Sequence, residues 1–331
     1  MGDIVVFLDP RIPILCTIMA LTASAWSAEP FPSAAQQAVS IGGKLPGSHE
    51  TSGIAWHTGL QKFFLVSDAG TVTSMTATGT KLIHWPVDGD LEAVTIARPQ
   101  SSLIYLGIED PDSIYEFNIL TGLVTRIFDL TPWMKGPDNS GLEALTFVPD
   151  PANPEGGLFY AGLQEDARIF VFRLPILSSA TSTAVTWVRT IQPINGVANI
   201  SDLTCVTSQN AIYAIYDKDD ILRAMETDGT LIGEWALPGQ DQEGVAIKGS
   251  ELYITEDYGG DGGDVLRYAP FAAIPQPDLN ADGKVNLTDL AILAAAWASE
   301  SQITAADISG DGLVDTMDLV ILADFWLGGT Y

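Results

Sequence analysis

The chain has 331 residues, 47% hydrophobic and 17% charged, which is enough apolar material for one large core or two unequal ones and excludes a disordered polyelectrolyte. Lys plus Arg total 15 against 42 for Asp plus Glu, and the resulting formal charge of −27 repels phosphate backbones and anionic membranes, excluding general nucleic-acid binding. Two cysteines exclude a disulfide framework, three histidines confined to the first quarter argue against zinc elsewhere, and the carboxylate excess suits hard cations such as calcium.

The first element is a short apolar run over residues 12–23 behind Arg11, closed by the small residues Ala23, Ser24 and Ala25. That order predicts a signal peptide over residues 1–25, with a buried N-terminal strand or a mis-assigned start as alternatives. Cys16 leaves with the signal, and Cys205 stays as a lone thiol predicted to be buried and inert. No other segment approaches the roughly 20 apolar residues of a membrane span. The mature protein is therefore expected to be soluble and secreted, extracellular or associated with the cell surface.

Residues 41–271 read as short β-runs broken by Gly, Asp, Asn and Pro. A five-residue pattern recurs as Ser52-Gly-Ile-Ala-Trp56, Glu92-Ala-Val-Thr-Ile96, Glu143-Ala-Leu-Thr-Phe147, Ser201-Asp-Leu-Thr-Cys205 and Glu243-Gly-Val-Ala-Ile247, in steps of 40, 51, 58 and 42 residues. Each copy alternates small and large apolar residues, which is strand periodicity. A second strand ending in acid follows each copy, closing on Asp68, Asp110, Glu165, Asp217 and Asp257. Repeats of this length with four short strands each predict an all-β propeller of five blades, or six if a degenerate blade hides in the longer steps. The small column Ala55, Thr95, Thr146, Thr204 and Ala246 fits strands crowded at an axis.

The order of the motifs ETSGIAW, LVSDAG, SGLEALTF, ISDLTCV, AIYDKDD, QEGVAI and YITEDYGG resembles the SdiA-regulated, YjiK-like family of secreted bacterial propellers, across nearly all of residues 41–271. The resemblance implies a propeller, and its broad relation to phytase-like and lactonase propellers leaves the chemistry open.

Glu92, Glu143 and Glu243 share one repeat column with Ser52 and Ser201, so a propeller sets them as a ring at one channel mouth. Three carboxylates there repel unless a cation or shared protons offset them. Two readings stand: a divalent-cation site, one Ca²⁺ with Asp202 as a further oxygen donor, or glutamates that each cap their own blade. The acids that close the second strands are expected to order turns. No nucleophile elbow, phosphate-cradling loop or Ser-His-Asp set is present, and His49, His57 and His84 are expected in packing or surface roles.

Residues 272–277 read as a stiff linker, after which two twelve-residue acidic loops appear in residues 278–331. Oxygen donors stand at loop positions 1, 3, 5, 9 and 12, namely Asp278, Asn280, Asp282, Asn286 and Asp289, then Asp307, Ser309, Asp311, Asp315 and Asp318. Glycine occupies position 6, and the position-7 carbonyls belong to Lys284 and Leu313. This is the EF-hand calcium-loop pattern, with Asp in place of Glu at position 12. Each loop runs into one apolar helical stretch and has no helix before it, so the pair resembles a type I dockerin domain over residues 278–327. The resemblance implies a small all-α module holding two Ca²⁺ ions in EF-hand-like loops and docking onto a cohesin-type protein domain. The positions matching the family's partner-reading pair, Leu287-Thr288 and Thr316-Met317, differ between the copies.

The function expected from these parts is a secreted calcium-binding protein whose propeller is a binding domain for a glycan or small molecule. A dockerin attaches it to a cohesin-bearing partner in an extracellular polysaccharide-degrading setting. The alternative is a calcium-dependent hydrolase (esterase, lactonase or phytase-like) using the channel mouth. A module of about 50 residues with clustered acids has little stability without its ions. Circular dichroism of residues 272–331 is expected to show helix in calcium and largely unfolded chain in chelator.

Overall fold

The computed structural model describes residues 29–31, 38–45, 50–137, 139–196, 199–249, 251–257, 263–269, 271, 277, 279–280, 285–297, 306, 308, 314–324 and 326. The expected signal peptide, Cys16, His49 and most of the linker lie outside the described residues.

The chain begins with two short strands, β1 (Glu29–Pro30) and β2 (Val39–Ser40). Four-stranded meanders follow. The first comprises β3 (Gly53–His57), β4 (Lys62–Ser67), β5 (Thr71–Met75) and β6 (Ile83–Pro86). The second comprises β7 (Asp90–Thr95), β8 (Leu103–Glu109), β9 (Ser113–Asn118) and β10 (Leu123–Asp129). The third runs through β11 (Leu142–Pro149), β12 (Gly157–Leu163), β13 (Ile169–Arg173) and β14 (Thr186–Ile191). The fourth holds β15 (Ile200–Val206), β16 (Ala211–Tyr216), β17 (Ile221–Met225) and β18 (Leu231–Ala236). The fifth holds β19 (Gln242–Lys248), β20 (Glu251–Asp257) and β21 (Gly263–Tyr268).

These are the five blades of a propeller, and the long second and third steps, of 51 and 58 residues, hold loops rather than a sixth blade. The first strands touch in the cycle β3, β7, β11, β15, β19 and back to β3, so each sequence motif forms the innermost strand of its blade. Blade five draws its outermost strand from the N-terminal end, because β2 pairs antiparallel with β21. Ser40 reinforces that closure by donating its hydroxyl to the Asp264 carboxylate at 2.6 Å. β1 adds a parallel fifth strand outside β18 on blade four.

The core consists of wedges between adjacent sheets, one per seam. Phe64 and Val66 face Leu91 and Val94 at the first, and Tyr105 and Phe128 face Leu145 and Phe159 at the second. Tyr160 and Val171 face Leu203 and Ile212 at the third, and Tyr213 and Leu222 face Val245 and Leu252 at the fourth. Tyr253 and Val265 close the ring against Phe63 and Leu65. Near the axis there is no room for such side chains. A Cβ on Gly53 would lie 2.7 Å from the Glu92 carbonyl oxygen, and one on Gly244 would lie 3.0 Å from the Ile54 nitrogen.

In the C-terminal region, two nine-residue helices are described, α1 (Leu287–Ala295) and α2 (Thr316–Asp324). They enclose a small core of Val285, Leu293, Ala306, Ile308, Val314 and Leu322, with Trp326 packed against it.

Ring closure depends on a few N-terminal residues. Phe31 is 6% exposed and meets the Tyr268 ring edge-on at 5.0 Å and the Phe271 ring at 5.9 Å. Phe31→Ala is expected to lower stability by about 3 kcal/mol, as for a buried Phe truncation. Exposed Val39→Ala should change it far less; urea unfolding followed by tryptophan fluorescence measures both.

Candidate metal centre at the mouth of the propeller channel

The acidic ring is placed by an irregularity that four blades share. Pairing between the first and second strands slips by one residue between Leu91 and Ala93, Leu142 and Ala144, Ile200 and Asp202, and Gln242 and Gly244. The skipped residues are Glu92, Glu143, Ser201 and Glu243, the first motif position each time. In blade one the regular pairing starts at Gly53, just after Ser52. A bulge turns its extra residue out of the ladder and re-aims the side chain. The flanking positions Leu91, Leu142 and Ile200 stay fully buried.

Of the three column glutamates, Glu143 is raised by the charges of the other two, whereas Glu92 and Glu243 respond mainly to other acids, and the tightest group lies around blade two. Single oxygens of Asp90, Glu92 and Glu109 lie within 4.8 Å of one another. Burial and the nearby carboxylates of Asp90, Glu109 and Asp68 push Glu92 up to about 9. Burial, then Asp217, Asp257, Asp241 and Asp68, push Glu243 up to about 8. Glu143 is also raised well above the usual range, by burial first and then by Glu92, Glu109, Glu243 and Asp90. Its Oε1 accepts a hydrogen bond from the Gln164 amide, while its Oε2 is buried without a hydrogen-bond partner. At the rim, Glu50 is raised by sharing a hydrogen bond with Asp68. The strongest influences on all three column glutamates are thus burial and other carboxylates.

Asp90, Glu109 and Gln164 were not singled out as site residues from the sequence. The available signal was Asp90 two residues before Glu92, and the double acid Glu109-Asp110, of which the inner member faces the mouth. Capping falls to different acids from those expected. Glu109 accepts from the Gly141 amide, Asp112 from the Leu142 amide at 2.7 Å, and Asp217 from the Gln242 amide at 3.1 Å. Each bond crosses a seam to the start of the next blade's innermost strand, so these acids near the second-strand ends tie blades together. Beside Glu109 a cleft of about 150 Å³ opens, lined by Asp110, Asp112, Thr131, Asn139 and Gly141 among others.

Asp202 is fully buried rather than open to an ion in the mouth. Its Oδ1 accepts from its neighbour Leu203 at 2.7 Å and its Oδ2 from Val245 at 2.9 Å. Burial raises its carboxyl well above the usual carboxylate range, and the amides of Val245, Leu203, Ile54 and Leu145 offset that only in part. The threonine column also does more than save space. The Thr95 hydroxyl accepts from the Phe147 amide and the Thr146 hydroxyl from the Cys205 amide, both at 3.0 Å across seams.

The described histidines sit away from the mouth. His57 is buried at the far end of β3 from Ser52, accepts from the Leu60 amide at 3.1 Å, and has its pKa lowered by burial. His84 lies on the outer strand β6 and bonds Thr73 at 2.9 Å. Cys205 is half-buried rather than fully buried, and burial pushes its thiol up to about 11, which keeps it protonated and unreactive at neutral pH.

Of the C-terminal loop residues, Asp278, Asp282, Lys284, Asp307, Ser309, Asp311 and Leu313 lie outside the described residues. The position-12 acids Asp289 and Asp318 are fully buried. Asp289 accepts from the amides of Leu279 at 2.8 Å, Asn280 at 3.2 Å and Asn286 at 2.9 Å, binding both ends of its loop. Asn286 caps α1, accepting from Thr288 at 2.9 Å. In the second copy, Asp318 accepts from Asp315 at 2.7 Å in the position that Asp289 takes toward Asn286.

A five-bladed propeller with an acidic group at its innermost strands, followed in the chain by two short helices, is the class of protein that fold and site define. Residues 276–325 match the model of the dockerin type I domain. Residues 178–258 match the SdiA-regulated family model, a narrower stretch than the 41–271 over which the motifs extend. Among curated proteins, none matches the chain. The fold is similar to that in the crystal structure of Myxococcus xanthus glutaminyl cyclase, at 13% identity over 67% of this chain and 93% of that one, with a TM-score of 0.46. It is similar also to a chain of the nidogen/laminin complex, at 13% identity over 63% and 73%, with a TM-score of 0.43.

Because Glu92 and Glu243 keep protons in the fold that the unfolded chain releases above pH 4.5, folding binds protons between that value and about 8 to 9. Stability contributed by these groups therefore falls as pH rises through that window, with a slope of about 1.4 kcal/mol per pH unit for each retained proton. Thermal melts of the chain in chelator from pH 5 to 9 are expected to show this fall, and Glu92→Gln should flatten it.

Proposed function

We propose that this chain is an exported calcium-binding adaptor. Its propeller is a binding domain, carried through a type I dockerin to a cohesin-bearing partner in an extracellular polysaccharide-degrading setting. The dockerin match, the two twelve-residue loops and the buried position-12 acids Asp289 and Asp318 support the tether. Two Ca²⁺ ions belong to these loops, held by Asp278, Asn280, Asp282, Asn286 and Asp289 in the first and by Asp307, Ser309, Asp311, Asp315 and Asp318 in the second. The carbonyls of Lys284 and Leu313 complete the sets.

A third cation belongs at the propeller mouth. The observation that carries this part is the grouping of Asp90, Glu92 and Glu109 oxygens within 4.8 Å, beside the unpartnered Glu143 Oε2. All the donors are hard carboxylate oxygens, which favours calcium over zinc. Glu143 and Glu243 supply further negative charge, and an ion there offsets repulsion that otherwise holds protons on these groups. The cleft lined by Glu109 borders this group and supports binding of a small ligand beside it. That same cleft favours one second reading, hydrolysis of a lactone, ester or phosphoester by calcium-assisted chemistry. Calcium-dependent turnover of generic ester and phosphate substrates that is lost in Glu143→Gln supports it, and full activity in that variant removes the residue from the mechanism.

Calorimetric titration of the intact chain is expected to give three Ca²⁺ per molecule, and two for the Glu92→Gln, Glu109→Gln double variant. Two ions in the unsubstituted chain would remove the mouth site and leave the tether standing.

A further inference from the structure

Beneath the acidic ring, the axis itself carries chemistry of the opposite sign. The third motif position of four blades, at Ile54, Leu145, Leu203 and Val245, directs a backbone N–H at the Asp202 carboxylate. These amides lie on the inner edges of β3, β11, β15 and β19, four different sheets, and converge on a single carboxylate that solvent does not reach. The preceding column reads Gly53, Ala93, Ala144, Asp202 and Gly244, so one blade supplies a charged side chain where the others supply at most a methyl group. Crowding accounts for the single occupant, since a Cβ on Gly53 already falls 2.7 Å from the Glu92 carbonyl oxygen.

We propose that the propeller axis is an anion-binding site built from inner-strand amides, and that Asp202 is its built-in ligand, a tethered carboxylate occupying a place that a free monocarboxylate or similar small anion can take. The Leu203 and Val245 amides hydrogen-bond Asp202, the Ile54 and Leu145 amides also stabilise its charge, and all four groups are donors. An ionised carboxylate satisfies that arrangement, whereas a carboxylic acid would need an acceptor for its own O–H. Convergent backbone N–H groups form anion-binding concavities generally, and here the pseudo-symmetry of the ring, rather than one turn, brings them together. Alanine is already native to this column at Ala93 and Ala144, so Asp202→Ala removes the carboxylate without introducing an unfamiliar shape. Nothing in this proposal depends on a cation at the mouth.

The test is chemical rescue on the full-length chain. Asp202→Ala is expected to unfold roughly 10 °C below the unsubstituted protein, given the usual relation between lost stability and melting temperature. Sodium formate should restore at least half of that loss in a saturable manner, with sodium chloride at equal ionic strength as the reference. The unsubstituted protein, its site filled, should show no saturable response to formate. Asp202→Asn keeps the size but points an NH₂ at donor groups, so it should remain destabilised and, being filled, should not respond to formate. A melting temperature for Asp202→Ala or Asp202→Asn equal to that of the unsubstituted chain overturns the proposal. So does a formate shift in Asp202→Ala no larger than in the unsubstituted protein. If Asp202→Ala fails to fold, refolding from urea with and without formate decides: recovery only with formate supports the site, and no recovery in either overturns it.

Discussion

A propeller gathers the exposed edges of its innermost strands around its axis, and every amide on those edges that loses water must find another acceptor. In this chain the accounting is met by three kinds of group. Asp202 serves third-position amides from four blades. Thr95 and Thr146 serve the fifth-position amides of the next blade, at Phe147 and Cys205. Glu109, Asp112 and Asp217 serve amides at the start of the following innermost strand. Most of these bonds cross from one sheet to another, so they link blades that otherwise touch only through apolar wedges. An unsatisfied buried amide costs about 1–3 kcal/mol, and the set therefore matters on the scale of the whole folding free energy.

The same crowding decides where the acidic ring can be. With Gly53, Ala93, Ala144 and Gly244 pressed together, regular strand positions near the axis have no volume for glutamate. Only the residue thrown out of the ladder at each bulge escapes the constraint, and that residue is Glu92, Glu143 or Glu243 in three blades and Ser201 in a fourth. The carboxylates thus reach a common mouth through backbone geometry, without basic residues to draw them there. Their mutual repulsion follows from this placement.

Much of this architecture is legible in the sequence because a propeller repeats one supersecondary unit, and a column of residues spaced by 40 to 58 positions becomes a ring. The five motifs identify the five innermost strands, and Glu143 is raised by the charges of Glu92 and Glu243. What the sequence conceals is whatever depends on neighbours distant in the chain. Asp202 sits beside Ser201 in the motif and reads as one more oxygen at the mouth. Its actual partners, Ile54, Leu145 and Val245, become visible only when the ring closes. The bulge is hidden for a related reason, since Leu91-Glu92-Ala93 fits an ordinary alternating strand until its pairing with β8 is known. Closure by β2 is hidden too, because Val39-Ser40 is too short to announce itself as the outer strand of a sheet more than 220 residues away.

The two parts of the chain stand differently toward the ion proposed for both. The ring is held by five interblade wedges and by amide bonds between sheets. The C-terminal module has a core of a few residues around Leu293 and Leu322, too small to stabilise a fold unaided. Asp289 and Asp318 gather loop amides there, so on the proposed reading ion binding and the folding of this module are a single event. Calcium on this reading governs whether the tether exists, while at the mouth it governs only how charge is distributed over a scaffold already built. A cell exporting such a chain into calcium-containing surroundings would thus fold the propeller and complete the attachment by separate physical events.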